Sequence, residues 1–266
     1  MDSATSLAIG QAAAALKRAR RVVAITGAGI SAESGVPTFR GAGGLWRTFR
    51  AEDLATPEAF ARDPVLVWEW YWWRRARIAG ARPNPGHAVL ARFETRLPAF
   101  TLLTQNVDGL HVDAGSRNLV ELHGNIWRAR CSVHRACVFD QRGEPIPPVE
   151  EMTGASASTV RHLSRADLPL CPSCAAPLRP DIVWFGEALD PEAVQRAIDA
   201  VRTCDVLLVI GTSAVVYPVA AFPSMAKRAQ ATIVEVNVEA TPVTSDADVV
   251  LRGPSGAILP EVERLL

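Results

Sequence analysis

Lysine is almost absent from this chain: of 28 basic residues only Lys17 and Lys227 are lysine, and the rest are arginine. The bias reads as a compositional preference for arginine and alanine. Net charge is also lacking, because 28 acidic residues cancel the basic ones. No overall field therefore draws the protein to nucleic acid or to an anionic membrane, and any steering of a substrate must be local. No run of about eighteen apolar residues exists, which excludes a spanning helix. The N-terminus has no short apolar core followed by a cleavage pattern, so no secretory signal is read there. Residues 4–20 are rich in alanine and end in Lys17-Arg18-Ala19-Arg20-Arg21, a faint likeness to an organellar targeting helix. Asp2 and the smooth entry into an apolar strand favour an ordinary first helix, and a cytoplasmic monomer is the expectation. Cysteine is scarce as well. Five are too few and too clustered for a disulfide scaffold of this size. Cys131, Cys137, Cys171 and Cys174 fall in one region and Cys204 outside it, which points to a metal site.

What is present is a regular alternation. Strand-like runs at 21–25, 99–103, 205–210, 232–236 and 247–251 alternate with helical stretches at 4–20, 84–96, 190–202, 217–229 and 255–265. Several of the strands are nearly all apolar, as expected when helices cover both faces of a parallel sheet. The pattern predicts an α/β fold, a Rossmann-like parallel sheet domain. Asn84-Pro85 and Asp190-Pro191 each set a capping side chain before a proline at the first helical position. Two insertions break the alternation, one helical and aromatic, the other carrying the cysteines. The expected division is a sheet domain of residues 1–38, 79–127 and 181–266, with a smaller helical and metal-binding domain of residues 39–78 and 128–180.

The most informative stretch runs from Thr26 to Gly41, where the apolar strand Val22 to Ile25 enters a Gly27-Ala28-Gly29 turn. Gly27 and Gly29 permit positive φ and a close approach of backbone to a pyrophosphate, with free N–H groups of the following helix facing the anion. An ordinary dinucleotide fold would next run a second strand to an acidic residue. Here Pro37-Thr38-Phe39-Arg40-Gly41 and Gly43-Gly44-Leu45-Trp46 form a loop instead, so the ligand is held in an unusual way. Two further blocks follow, Thr104-Gln105-Asn106-Val107-Asp108-Gly109-Leu110-His111 and Glu121-Leu122-His123-Gly124-Asn125. With the paired cysteines, Val183-Trp184-Phe185-Gly186-Glu187, Gly211-Thr212-Ser213 and Asn237-Val238-Glu239, all in order, the chain resembles a sirtuin from about Val22 to Leu259. Sirtuins are NAD-dependent protein-lysine deacylases.

The resemblance implies that NAD is a consumed co-substrate and that the active cleft lies between the two domains. In the chemistry it implies, the acyl-lysine carbonyl oxygen attacks the nicotinamide-bearing ribose carbon, nicotinamide leaves, and an alkylimidate forms. His123 is then the general base, turning the neighbouring hydroxyl onto that intermediate, and water releases lysine and O-acyl-ADP-ribose. Independently of the resemblance, His123 follows the apolar strand Leu119 to Leu122, at the sheet edge where such folds hold ligands, and its ordinary pKa lies near working pH. His87, His111 and His162 read as structural or exposed, with His111 near enough to the Asn106 loop to steady it. Asn106 orders ribose and water, Asp108 accepts from the nicotinamide carboxamide, and Gln105 and Val107 lie in the same cofactor loop. Gly27, Ala28, Gly29, Thr38, Phe39, Arg40 and Trp46 surround the phosphates and the nicotinamide ribose. Gly211, Thr212 and Ser213 offer hydroxyls and N–H groups, Asn237, Val238 and Glu239 suit the adenosine ribose, and Ser255 lies near adenine.

Cys171-Pro-Ser-Cys174 is a tight knuckle for two thiolates, and Cys131 with a partner supplies the other half of a tetrahedral zinc site. The first half departs from the family's Cys-x-x-Cys, reading Cys131-Ser-Val-His134-Arg-Ala-Cys137. Both His134 and Cys137 are open as the fourth ligand, and Cys137 is preferred because the family's site is all thiolate. A closed four-ligand zinc site has a structural role.

The acyl group is suggested by Tyr71 and Arg74, three apart and so on one face of a helix beginning at Asp63-Pro64. A guanidinium fork and a phenol make a carboxylate receptor. In the class III branch of the family a Tyr-x-x-Arg here reads the free acid of succinyl-, malonyl- or glutaryl-lysine, and Ala42 in Gly41-Ala42-Gly43-Gly44 leaves space for the longer group. The plainer alternative is a solvated arginine face, since Arg74, Arg75 and Arg77 lie close together. The acyl-lysine peptide is expected between two extended stretches, Val183 to Glu187 and Val215 to Pro218, with Val183, Gly186, Val216 and Tyr217 pairing to it and Phe185 walling the acyl-lysine channel. Broad choice of protein substrate follows. The alternatives are an enzyme that mainly removes acetyl groups, and a non-catalytic NAD-sensing interaction module.

Overall fold

The computed structural model describes residues 3–37, 45–46, 49–147 and 163–266. Thr38, Phe39, Arg40, Ala42 and His162 lie outside the described residues, and of Trp46 only the backbone is described.

Helix α1 (Ser3–Arg18) packs its Ile9, Ala12 and Leu16 face inward and leads to β1 (Val22–Thr26), all five residues of which are buried. A short helix α2 (Ala28–Ala32) follows directly. The first insertion carries two short paired strands, β2 (Leu45–Trp46) and β3 (Phe49–Arg50), and the helices α3 (Ala51–Leu54), α4 (Pro57–Arg62) and α5 (Pro64–Ala79). The chain returns to the sheet through α6 (Pro85–Arg96), β4 (Phe100–Thr104), α7 (Leu110–Asp113) and β5 (Leu119–Glu121). The second insertion is a three-stranded antiparallel sheet of β6 (Gly124–Cys131), β7 (Val138–Asp140) and β8 (Leu178–Ile182), in the order β7-β6-β8. Its first strand begins at Gly124, immediately after His123. The last part adds α8 (Pro191–Thr203), β9 (Val206–Ile210), α9 (Phe222–Arg228), β10 (Thr232–Asn237), β11 (Val249–Arg252) and α10 (Ser255–Arg264).

The main sheet is parallel, with six strands in the order β11-β10-β9-β1-β4-β5. Alternate residues of one strand serve opposite faces. Val22 and Ala24 join α1, α6 and α10 around Leu16, Leu90, Phe93 and Leu259, whereas Val23 and Ile25 join α8 and α9 around Val201 and Phe222. A separate core around Trp68, Trp72, Ile126, Leu178 and Trp184 fills the smaller module.

The expected caps are present. Asn84 Oδ1 accepts from Gly86 N at 2.9 Å and Asp190 Oδ1 from Glu192 N at 3.0 Å. Asp63 Oδ1 likewise accepts from Leu66 N at 3.0 Å, capping α5 from the residue before Pro64. Each cap supplies an acceptor to an otherwise unpaired helical N–H. The helical stretch expected from 217 differs: α9 begins at Phe222, after an exposed Val215-Val216-Tyr217 segment and a turn.

Candidate active site

Following β1 the chain moves on to β4 and β5, and following β9 it moves in the opposite direction, to β10 and β11. Strand order thus reverses between the neighbours β1 and β9, which opens a crevice at their carboxyl ends where parallel sheets hold ligands. Gly27 to Gly29, Gln105 to Asp108, His123, Gly211 to Ser213, Asn237 to Glu239 and Ser255 all lie at or just beyond strand ends at this one edge.

The glycines of the crevice have a different physical reason from the one expected. Gly27 has φ of −128° and Gly29 sits inside α2, so neither needs a left-handed backbone. A methyl group at Gly29 would lie 2.7 Å from Gly211 Cα, and one at Gly211 would lie 2.5 Å from Ile30 N. Gly29 N donates to Gly211 O at 2.8 Å. The two loops are packed backbone to backbone, and it is Gly211, at φ 57°, that takes the left-handed conformation.

His123 is half-buried between β5 and β6, and its Nδ1 lies 3.0 Å from the carbonyl oxygen of Gln105. A carbonyl only accepts, so Nδ1 carries the proton and Nε2 keeps its lone pair. Burial lowers the His123 pKa below its ordinary value, with the Gln105 carbonyl acting against that shift. The ring is therefore neutral at neutral pH, as a base must be. Gln105 is itself fixed, its Nε2 donating to Thr212 Oγ1 at 2.8 Å, so it links the loop after β9 to the imidazole.

Asn106 is buried, and its Nδ2 donates to Gly27 O at 3.0 Å and to Ser31 Oγ at 3.1 Å. Beneath it the buried rings of His87 and His111 lie 4.8 Å apart. Burial pushes the His87 pKa down to about 4 and that of His111 to about 3, so both are neutral. His111 Nε2 reaches Thr26 Oγ1 at 2.9 Å, Thr26 donates to Thr104 Oγ1 at 2.8 Å, and the same oxygen accepts Asn106 N at 3.1 Å. His111 thus steadies the Asn106 loop through two threonines. His87 shares Ser31 with Asn106, at 3.4 Å. Thr26 and Ser31 carry no sequence signal beyond their place beside the glycine turn, and Thr104 none beyond opening the Gln105-Asn106 block. Asp108 is buried and accepts from Leu110 N at 2.9 Å, and desolvation raises its pKa against that bond and against the nearby Arg74 charge.

Tyr71 and Arg74 turn inward together. Tyr71 is fully buried, and the Arg74 guanidinium lies 5.0 Å from the Trp70 ring centroid and 5.5 Å from that of Tyr71. Tyr71 Oη accepts from Trp184 Nε1 at 2.9 Å. Desolvation raises the Tyr71 pKa and lowers that of Arg74, each partly offset by the other. The three arginines of α5 have separate environments. Arg75 is buried and donates to Ile126 O at 2.7 Å, tying α5 to β6, while Arg77 is exposed and lies over Trp73. Of the three, Arg74 is the one that lies over the Tyr71 ring and acts on Asp108.

Of the remaining expected residues, Asn237 donates through Nδ2 to Thr212 O at 3.1 Å, whereas Val238 and Glu239 are exposed. Ser255 is buried and donates to Glu33 Oε1 at 2.7 Å, so its hydroxyl is engaged within the protein. Val183 to Glu187 is not extended throughout: Gly186 has φ of 82° and Glu187 N donates to Trp184 O at 3.0 Å, closing a turn. That turn leaves Phe185 exposed, as are Val216 and Tyr217.

The family model described as the Sir2 family matches residues 27–218. The chain belongs to the Sir2 family. It is 50% identical over 256 residues to a Thermococcus kodakarensis protein named NAD-dependent protein deacylase, covering 96% of this chain and 95% of that one. A solved structure of a Sir2 homologue in complex with NAD aligns with TM-score 0.81 at 41% identity, covering 100% of this chain and 94% of that one. A second Sir2 structure, bound to a myristoylated histone peptide, aligns with TM-score 0.72 at 30% identity, covering 97% and 95%.

In this Sir2-family chain the Cys131, Cys171 and Cys174 sulfurs lie within 4.8 Å of one another. Three thiols so placed suit a tetrahedral, thiolate-preferring ion such as zinc. The fourth ligand, expected at Cys137 with His134 as the alternative, falls outside that mutual distance in this structure. The Cys137 carbonyl accepts from Cys131 N at 2.9 Å, its own N–H donates to His134 O, and its side chain packs against the apolar core. Chelation of the metal-loaded protein should remove one metal per chain and lower the melting temperature, read by metal analysis and circular dichroism. Unchanged melting after complete metal loss would refute a structural ion here.

Proposed function

We propose that this protein is an NAD-dependent protein-lysine deacylase that prefers acidic acyl groups, succinyl, malonyl or glutaryl, and removes acetyl more weakly. Membership of the Sir2 family and the similarity to proteins named NAD-dependent protein deacylase support the coarser activity. The acidic preference rests on one observation, the buried Tyr71 hydroxyl beside the Arg74 guanidinium. The guanidinium already interacts with Tyr71 and Asp108, and a substrate carboxylate would add a charge-assisted acceptor to it, which the acetyl methyl would not. A long hydrocarbon chain would set apolar carbon against the same guanidinium.

NAD supplies the electrophilic ribose carbon and receives the acyl group, so it is consumed. The chain's own residues do the rest. His123 Nε2 takes a proton from a ribose hydroxyl, and the Nδ1–H bond to Gln105 holds the ring in the tautomer that can do so. Asn106, held from below by Gly27 and Ser31, presents its side-chain oxygen to ribose or water. Asp108 offers an acceptor at the inner end, and the exposed Phe185 forms one wall of the lysine channel. Cys131, Cys171 and Cys174 would hold a structural zinc away from the chemistry.

Nicotinamide release should be measured with NAD and matched acetyl-, malonyl-, succinyl- and glutaryl-lysine peptides. The expected result is kcat/KM at least about tenfold higher for the acidic acyl groups, the size of one charge-assisted contact. Release with none of the peptides would overturn deacylation, and an acetyl preference would overturn the acidic reading alone.

A further inference from the structure

Trp184 lies at the join between the peptide-facing turn and the proposed carboxylate receptor, and no step of the chemistry above uses it. It is 2% exposed. Its Nε1–H donates to Tyr71 Oη at 2.9 Å. One face of the indole carries the Arg179 guanidinium, 3.3 Å from the ring centroid, and Phe60 packs against the ring at 5.4 Å with a 45° tilt. Arg179 is clamped in turn, donating to Glu187 Oε1 at 2.6 Å, to Glu187 Oε2 at 2.9 Å and to Ile182 O at 2.9 Å. Glu187 closes the ring by accepting Trp184 N at 2.9 Å. The indole therefore has one orientation available to it.

We infer that Trp184 is a positioning residue for acidic-acyl selectivity, orienting the Tyr71 hydroxyl so that its hydrogen is directed to a substrate carboxylate. The inference rests on the acidic-acyl reading of Tyr71 and Arg74. An indole N–H can only donate, so its bond occupies a lone pair of the phenol oxygen and cannot consume the phenol's hydrogen. The Arg74 guanidinium approaches the same phenol from a second direction. With donors on the oxygen, the phenol's remaining capacity is to give its hydrogen to an acceptor, and accepting a bond strengthens the one it gives. A carboxylate fits that demand. An acetyl methyl has nothing to accept with, so the effect belongs to acidic acyl groups.

Trp184→Phe keeps a ring for Arg179 and Phe60 to pack on and removes the donor together with the volume of the fused second ring. It should lower kcat/KM for a succinylated peptide about five- to tenfold, mainly through KM, and change deacetylation by less than about twofold. In a Tyr71→Phe background the same substitution should have no further effect on the succinyl substrate, because the oxygen it orients is gone. Equal losses for both acyl groups, an unchanged succinyl-to-acetyl ratio, or a full effect persisting without the Tyr71 hydroxyl would each overturn the inference. A wild-type enzyme with no preference for succinyl over acetyl would instead overturn the underlying reading, and the inference with it. Should Trp184→Phe fail to fold, the wild-type indole N–H resonances serve. The one that moves in Tyr71→Phe should also move on binding a succinylated peptide and stay put with an acetylated one. A shift of equal size with both peptides would count against the role.

Discussion

Replacing His123 with alanine should cut deacylation by about a thousandfold while leaving NAD binding largely intact, since positioned general-base catalysis contributes roughly 10²–10⁴-fold. The Nδ1 bond to the Gln105 carbonyl makes Nε2 the only basic nitrogen of that ring. Its loss removes proton acceptance without opening the crevice between β1 and β9. The pH profile supplies an independent check. Burial lowers the His123 pKa, so the acid limb of the kcat/KM profile should fall below pH 6.5, the ordinary histidine value. Activity is present above that limb and is lost as pH drops through it, because the protonated ring cannot accept. Titration calorimetry with NAD and a succinyl-peptide turnover assay test the two halves. Wild-type-like turnover in His123→Ala would remove the base from the scheme.

The second large effect concerns Arg74. Arg74→Met keeps an unbranched side chain against Trp70 and Tyr71 but removes the charge. A charge-assisted contact contributes about 1.5–3 kcal/mol, which converts to a loss of roughly ten- to a hundredfold for succinyl peptides. Deacetylation should fall far less, because acetyl brings no carboxylate to the guanidinium. Competition between succinyl and acetyl peptides in one reaction reads the ratio directly. Parallel losses would mean that Arg74 supports the module as Arg75 does, through packing and backbone contacts, and reads no acid.

Those two side chains also show where the sequence speaks clearly and where it is silent. The apolar runs of β1 and β9 announce a sheet covered on both faces, and five buried positions in each bear that out. Asn84-Pro85 and Asp190-Pro191 carry their helix starts in the local chemistry of an Asx side chain, so those boundaries were legible. The histidine after β5 was legible for the same reason, because strand ends mark ligand edges. What a linear reading misses is contact between distant segments. Gly29 and Gly211 are 182 positions apart, and the close packing that demands both is visible only once β1 and β9 are neighbours. The Trp184 bond to Tyr71 spans 113 positions and has no local pattern. Spacing suggested Cys137 for the metal site, and the mutual distances among Cys131, Cys171 and Cys174 are visible only once β6 and β8 pair. The turn at Gly186 was hidden by an apolar run that reads as extended.

One connection bears on how the two halves of the molecule can move. His123 is joined without a spacer to β6, and its carbonyl accepts Val183 N at 3.0 Å at the end of β8. Phe185 N in turn donates to Ala55 O at 2.9 Å, in the helical part of the same module. His123 is held from the other side as well, its Nδ1 bonded to the Gln105 carbonyl beyond β4. His123 is thus a seam between the two parts, its ring tied to the crevice loops and its carbonyl to the end of β8, so any relative motion of sheet and module would act across this one residue.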